Sequence, residues 1–138
     1  MAVKTLLSVF LSVIFVLLFS GCTWLGFSSA DNSAKTHLDL IEHFAANKIK
    51  IDSVKPLMYS LAQAESGYCF KIGKREVGVY KYNLIRKKQK HRYQLVKDSG
   101  VLYINGTKFK ALINGSFVMI DYDTHPDSEK IIKAFESF

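Results

Sequence analysis

The stretch of sequence that decides the fold is VLYINGTKFKALINGSFVMIDY, residues 101–122. Two Asn-Gly pairs, Asn105-Gly106 and Asn114-Gly115, divide it into three runs rich in β-branched and aromatic residues. Asn-Gly is the preferred pair for a two-residue turn between antiparallel strands, because both central residues need a positive φ. The stretch therefore predicts three consecutive antiparallel strands, over 101–104, 108–113 and 117–122.

The chain before this stretch contains a second predicted hairpin. Residues 68–72 and 76–82 are dominated by aromatic and β-branched residues, and Gly73-Lys74-Arg75 separates them. Such runs on either side of a glycine-containing turn are typical of a hairpin. Alternating apolar residues over 48–54 predict one further short strand.

Two helices are predicted in the first half of the folded part. The segment 36–47 has apolar residues at helical spacing and begins with Thr36, which Asp39 follows three residues later as in a capping box. The next segment begins at Pro56, because proline is favoured in the first turn of a helix, and ends at Gly67.

Two more helices are predicted in the second half. The segment 84–98 contains no glycine or proline, and Gly100 is a natural helix end. A last helix begins at Pro126 and carries apolar residues at helical spacing: Ile131, Ile132, Phe135 and Phe138. Together these elements predict the α+β fold class, as a single small domain with a largely antiparallel sheet and helices packed on one face.

The composition limits the class of protein. Of the 138 residues, 49% are apolar and 22% charged, which excludes a disordered or low-complexity chain. Two cysteines exclude a disulfide-dense scaffold and a zinc site with four cysteine ligands. The formal net charge is +7, and removal of a leader that contains Lys4 would lower it to about 7 − 1 = +6.

The amino terminus has the pattern of an export signal. Lys4 precedes an apolar run over 5–19, which Ser20-Gly21-Cys22 follows. About 20 apolar residues are needed to span a bilayer as a helix, so this shorter run fits a signal peptide better. An uncleaved membrane anchor, extended by the apolar residues of 24–27, is the alternative interpretation.

Residues 18–22, Leu-Phe-Ser-Gly-Cys, resemble a lipobox, the processing site of bacterial lipoproteins. The resemblance implies cleavage between Gly21 and Cys22 and attachment of a diacylglyceryl group to the Cys22 thiol. Phe19 departs from the usual pattern, which has Leu, Val or Ile three places before the cysteine. The carboxyl-terminal stretch of about 30 residues also resembles small uncharacterised bacterial lipoproteins, a resemblance that implies no activity.

These patterns divide the chain into a signal peptide (1–21), a lipidated cysteine with a flexible tether (22–35) and an α+β domain (36–138). The predicted location is the cell membrane or outer membrane, lipid-anchored and facing outside the cytoplasm, because Lys4 favours a cytoplasmic amino terminus. The predicted partner is thus the membrane, through the lipid anchor. Nucleic acid is not expected at this location.

A basic segment is the first candidate binding site. It contains six cations and no acid: Lys81, Arg86, Lys87, Lys88, Lys90 and Arg92. One interpretation is a solvated helix face; a second is a site for anionic lipid or an envelope polyanion, and a third is a site for a protein partner.

Cys69 is the thiol that remains once Cys22 is lipidated. A buried inert residue, an intermolecular disulfide and a catalytic nucleophile are the three interpretations, and a nucleophile needs a nearby base and a lowered pKa. The polar residues Asp121, Asp123, His125 and Asp127 are interpreted as a helix cap rather than as cation ligands, because their spacing is not that of a calcium loop. The sequence therefore predicts no metal and no cofactor.

Three hypotheses for function follow from the sequence. The first is a non-enzymatic, lipid-anchored binding or accessory domain at the cell envelope, since no catalytic motif is present. The second is an inhibitor or immunity-type lipoprotein that blocks an enzyme or a phage. The third is a thiol-dependent enzyme that uses Cys69.

Overall fold

The computed structural model describes residues 31–138 and confirms the α+β class. The predicted signal peptide, with its cleavage site at Gly21 and Cys22, lies outside these residues. In chain order the elements are α1 (His37–Ala46), β1 (Ser53–Pro56), β2 (Ser66–Ile72), β3 (Arg75–Lys81), α2 (Lys87–Ser99), β4 (Val101–Ile104), β5 (Thr107–Lys110), β6 (Leu112–Asn114), β7 (Phe117–Ile120) and α3 (Ser128–Glu136).

Five of the strands form one antiparallel sheet, in the order β1-β2-β3-β7-β6, and β4 and β5 form a separate two-stranded sheet. In the larger sheet β3 and β7 are central. Tyr68 pairs with Val79, which in turn pairs with Met119. The hairpin predicted around Gly73 is therefore confirmed, with Ile72 opposite Arg75 across the turn.

Side chains on the two faces of this sheet form two separate cores. Alternate residues of β3, such as Val77 and Val79, belong to a core with α1 and α3. Tyr80, the next residue after Val79, points to the other face, where it packs in a second core with α2 and β4. Two helices, α1 and α3, thus lie on one face. The prediction that the helices share one face does not hold for α2, which lies with the small hairpin on the opposite face.

The ends of α1 form as the sequence predicts. The Thr36 side chain accepts a hydrogen bond from the Asp39 backbone N–H, and the Asp39 carboxylate accepts one from the Thr36 backbone N–H. After the helix, Ile49 donates its backbone N–H to the Phe44 carbonyl, and Lys48 has a φ of 60°. This helix end holds Ile49 in the core, so the strand predicted over 48–54 begins only at Ser53.

The helix predicted from Pro56 to Gly67 is wrong. Pro56 is the last residue of β1, where it pairs with Tyr68, and turns follow over 59–63. Because β1 is an edge strand, the sheet loses no backbone hydrogen bond through the missing N–H of proline. The Leu57 N–H then bonds the Gly67 carbonyl at 2.9 Å, which turns the chain away from a helix.

The stretch 101–122 forms strands with two departures from the prediction. Both Asn105 and Gly106 have positive φ, as the first turn requires, whereas in the second turn Gly115 alone has. The predicted strand 108–113 is split at Ala111, whose N–H bonds the Gly100 carbonyl instead. β5 consequently pairs with β4, and β6 joins the larger sheet.

The folded domain begins earlier than the predicted residue 36. Asn32 is only 1% exposed, and its side chain bonds the Ser116 N–H at 2.8 Å and the Asn114 carbonyl at 3.0 Å. The last residues of the predicted tether, from Asn32, are therefore part of the fold. Within residues 31–138 no helix has the length and apolar character that crossing a membrane requires.

Candidate functional site

The predicted basic segment does not form one site. Lys81 ends β3, where its ammonium donates to the Lys35 carbonyl at 2.7 Å and lies 5.7 Å from the centre of the Phe117 ring. Arg92 lies further along α2 and donates to the Tyr103 carbonyl at 2.5 Å. Both side chains are partly buried and bind backbone oxygens of the fold.

The other four cations lie together at the start of α2. We call this part the basic surface: Ile85, Arg86, Lys87, Lys88 and Lys90. All five residues are exposed, and within residues 31–138 none of the four cations forms an ion pair. The first turn of α2 contains no acidic residue, so the positive end of the helix dipole adds to these charges.

Ile85 is the most exposed large apolar side chain in the described part of the chain, at 95%. The loop that carries it is fixed by Asn83. The Asn83 Oδ1 accepts hydrogen bonds from the backbone N–H groups of Ile85 and Arg86, at 3.0 and 3.4 Å. The Asn83 backbone N–H in turn donates to the Gln89 side chain at 2.7 Å. The isoleucine is therefore held in solvent by an ordered loop.

This loop lies beside the first residues of the folded chain. A cavity of about 610 Å³ is lined on one side by Asp31, Ser33 and Ala34. The segment from Lys81 to Ile85 lines its other side. The chain thus begins its fold at the same end of the molecule as the basic surface.

Cys69 lies in a cleft on the opposite face of the sheet from α1 and α3. We call this the Cys69 cleft; its volume is about 360 Å³. The sheet forms the floor of the cleft. There Cys69 of β2 pairs with Gly78 of β3, and Tyr80 lies two residues further along β3. Its walls come from the turn segment 57–61 and from the hairpin of β4 and β5.

The chemistry of the thiol does not favour a nucleophile. Burial and the neighbouring Glu76 carboxylate raise the pKa of Cys69 to about 11, so the thiol is protonated at neutral pH. No histidine lines the cleft within residues 31–138. His37, His43 and His125 instead bond carbonyl groups of the fold.

The polar cluster after β7 is dispersed. The His125 ring bonds the Ile72 carbonyl through Nε2, and its Nδ1 accepts the Asp127 N–H at 3.0 Å. Asp123 lies 3.6 Å from the Lys110 ammonium, and Asp121 lines the Cys69 cleft. Asp127 is the residue before α3, which begins at Ser128 and not at the predicted Pro126, and the Asp127 side chain forms no capping bond. Residues 31–138 contain no group of three or more potential metal ligands.

No pattern in the sequence predicts the Cys69 cleft as a unit. Its floor comes from β2, β3 and β7, and its walls from a segment predicted to be a helix and from a hairpin more than 30 residues later. A local pattern could single out Cys69, but not the residues that surround it.

Comparison with known proteins found no matching family model, no matching curated protein and no matching solved structure.

Proposed function

We propose that this chain is a lipid-anchored protein of the bacterial cell envelope, attached through Cys22 and facing outside the cytoplasm. Its folded domain is a non-enzymatic binding or accessory module that rests on the membrane through the basic surface. The observation that carries this proposal is the position of that surface beside the first residues of the fold.

The length of the tether supports contact with the membrane. Asn32 fixes the start of the domain, so only residues 23–31 connect it to Cys22. Ten residue steps span at most about 35 Å when fully extended. The end of the domain that carries the basic surface is thereby kept within reach of the lipid headgroups.

The charges and the isoleucine support the same orientation. A cation near an anionic bilayer contributes about 1 kcal/mol, and complete burial of an isoleucine side chain contributes about 2 kcal/mol. Arg86, Lys87, Lys88 and Lys90 are exposed, and within the described chain none forms an ion pair that must break first. The basic surface orients the domain on the membrane, while the lipid on Cys22 attaches the chain permanently.

The state of Cys69 supports a binding function over a thiol-dependent enzyme. A thiol with a raised pKa is a poor nucleophile, and no imidazole in the described residues lines its cleft to accept the proton.

The membrane contact is tested on the lipid-modified chain in vesicles that contain phosphatidylglycerol. An environment-sensitive fluorophore is placed at Ile85→Cys in a Cys69→Ser background, and in a matched protein at Lys74→Cys. Lys74 lies at the other end of β3, about 20 Å from Lys81 along the strand. We expect blue-shifted emission and quenching by lipid-borne quenchers at position 85 and neither effect at position 74.

Charge variants complete the test. Lys87→Glu with Lys88→Glu should abolish the shift at position 85, whereas Lys71→Glu with Lys74→Glu should preserve it. Equal emission from positions 85 and 74 would contradict the orientation. A chain that leaves the vesicles without detergent would contradict the anchor itself.

A further inference from the structure

The Cys69 cleft combines apolar walls with a negative mouth. Leu57 and Leu61 line one wall and Ile104 and Phe109 the other, while Met58, a residue 71% exposed, lies at the opening. Glu76 and Asp121 also line the cleft, and both residues are exposed to solvent. The mouth of the cleft is thus locally negative, although the whole chain carries a formal charge of +7.

Tyr80 provides an unused polar group within the cleft. The residue is only 4% exposed, yet its hydroxyl forms no hydrogen bond to any residue of 31–138. The two neighbouring buried tyrosines behave differently, since Tyr82 donates to the Ala62 carbonyl at 2.8 Å and Tyr93 to the Gly115 carbonyl at 2.5 Å. Tyr80 lines the cleft, so its hydroxyl is open to a ligand there.

Tyr80 and the two acids line the same cleft. Burial raises the pKa of Tyr80, and the Asp121 carboxylate raises it further. Lys55 lies 3.4 Å from Glu76 and compensates that carboxylate. Asp121 has no ion pair and accepts no side-chain hydrogen bond within the described residues.

We propose that the Cys69 cleft binds a small organic cation, an ammonium group on an apolar body. The ammonium lies between the Asp121 carboxylate and the Tyr80 hydroxyl, which accepts one of its hydrogen bonds. The apolar body packs on Leu57, Met58 and Phe109. A cleft of this volume accommodates a body about the size of one aromatic ring with a short chain. The proposal is independent of the membrane contact, because the cleft and the basic surface share no residue.

The test uses the lipid-modified chain in nanodiscs of zwitterionic lipid, so that the bilayer itself attracts no cations. The probe is 2-phenylethylamine, and the matched probe is phenylacetate, which has the same ring and the opposite charge. Calorimetric titration should show saturable binding of the amine at millimolar concentration and none of the acid. Equal binding of both probes, or no binding of either, would overturn the proposal.

Variants assign the binding to the cleft. Asp121→Asn should weaken amine binding about tenfold, since one charge partner is lost. Asparagine tolerates the positive φ of 60° at this position, so the fold is preserved. Tyr80→Phe should weaken binding severalfold. Asp98→Asn, on an exposed residue of α2 that does not line the cleft, is the control and should bind as the wild type does.

A second readout does not depend on the stability of any variant. With carbon-13 in the methionine methyl groups, the amine should shift the Met58 signal and leave that of Met119, buried in the other core, unchanged. An amine that shifts neither signal, or that binds Asp121→Asn as tightly as the wild type, would refute the site.

Discussion

Asn32 connects the first folded residues to the centre of the molecule. Its side chain reaches the turn between β6 and β7, where it accepts from the Ser116 N–H and hydroxyl and donates to the Asn114 carbonyl. These bonds join residues that are 84 positions apart in the sequence. One side chain therefore fixes where the folded domain begins.

Asn32→Ala is expected to destabilise the domain by about 2–3 kcal/mol, since it leaves the buried Ser116 N–H without a partner. Equilibrium unfolding of the chain in urea measures this. Ser33→Ala, one residue further on and exposed, is the control and should change the free energy of unfolding by less than about 0.5 kcal/mol. Equal effects of the two substitutions would show that Asn32 does not fix the chain.

His37 makes the stability of the domain depend on pH. It is buried against Tyr68 and Phe117, and burial lowers its pKa from 6.5 to about 4. Between these values the unfolded chain binds more protons than the folded one, so stability falls as the pH falls from 6.5 to 4.

We expect the wild type to lose up to about 3 kcal/mol over this range. His37→Gln should flatten this part of the profile, and His91→Gln, on the exposed face of α2, should leave it unchanged. The measurement is the urea midpoint at a series of pH values. A wild-type profile that is flat between pH 4 and 6.5 would contradict the buried neutral imidazole.

At the scale of elements, the sequence predicted those structures whose signals are local. The hairpins follow from their turn residues, and α1 from the capping box at Thr36 and Asp39. The prediction of a helix after Pro56 is wrong because apolar residues of this segment pack in the second core from a series of turns. Their spacing in the sequence also fits a helix. The start of α2 was placed too early, because Asn83 bonds the next backbone N–H groups and delays the helix to Lys87.

The two glycine turns differ in what surrounds them, which gives a prediction at this scale. Gly73 and Gly115 both have positive φ, but a Cβ at Gly73 would meet nothing within 4 Å. A Cβ at Gly115 would lie 2.0 Å from the Asn32 Oδ1. Gly73→Ala should therefore cost about 1 kcal/mol, the strain of the left-handed region.

Gly115→Ala should cost clearly more, about 3 kcal/mol or above, because it also displaces Asn32 from its hydrogen bonds. Urea unfolding of both variants measures the difference. The same loss for both substitutions would contradict the contact between Asn32 and this turn.

At the scale of the whole molecule, the fold class was predictable and the candidate sites were only partly so. The basic residues were visible in the sequence, but the fold separates Lys81 and Arg92 from the four exposed cations. The Cys69 cleft could not be predicted, because strands from three parts of the chain meet in its floor.

Intact mass spectrometry of the chain isolated from the membranes of a bacterial host tests the lipid anchor most directly. The anchored form should consist of residues 22–138 with the added mass of a diacylglyceryl group, and Cys22→Ala should lack that added mass. An unmodified chain that still carries residues 1–21 would contradict the central claim.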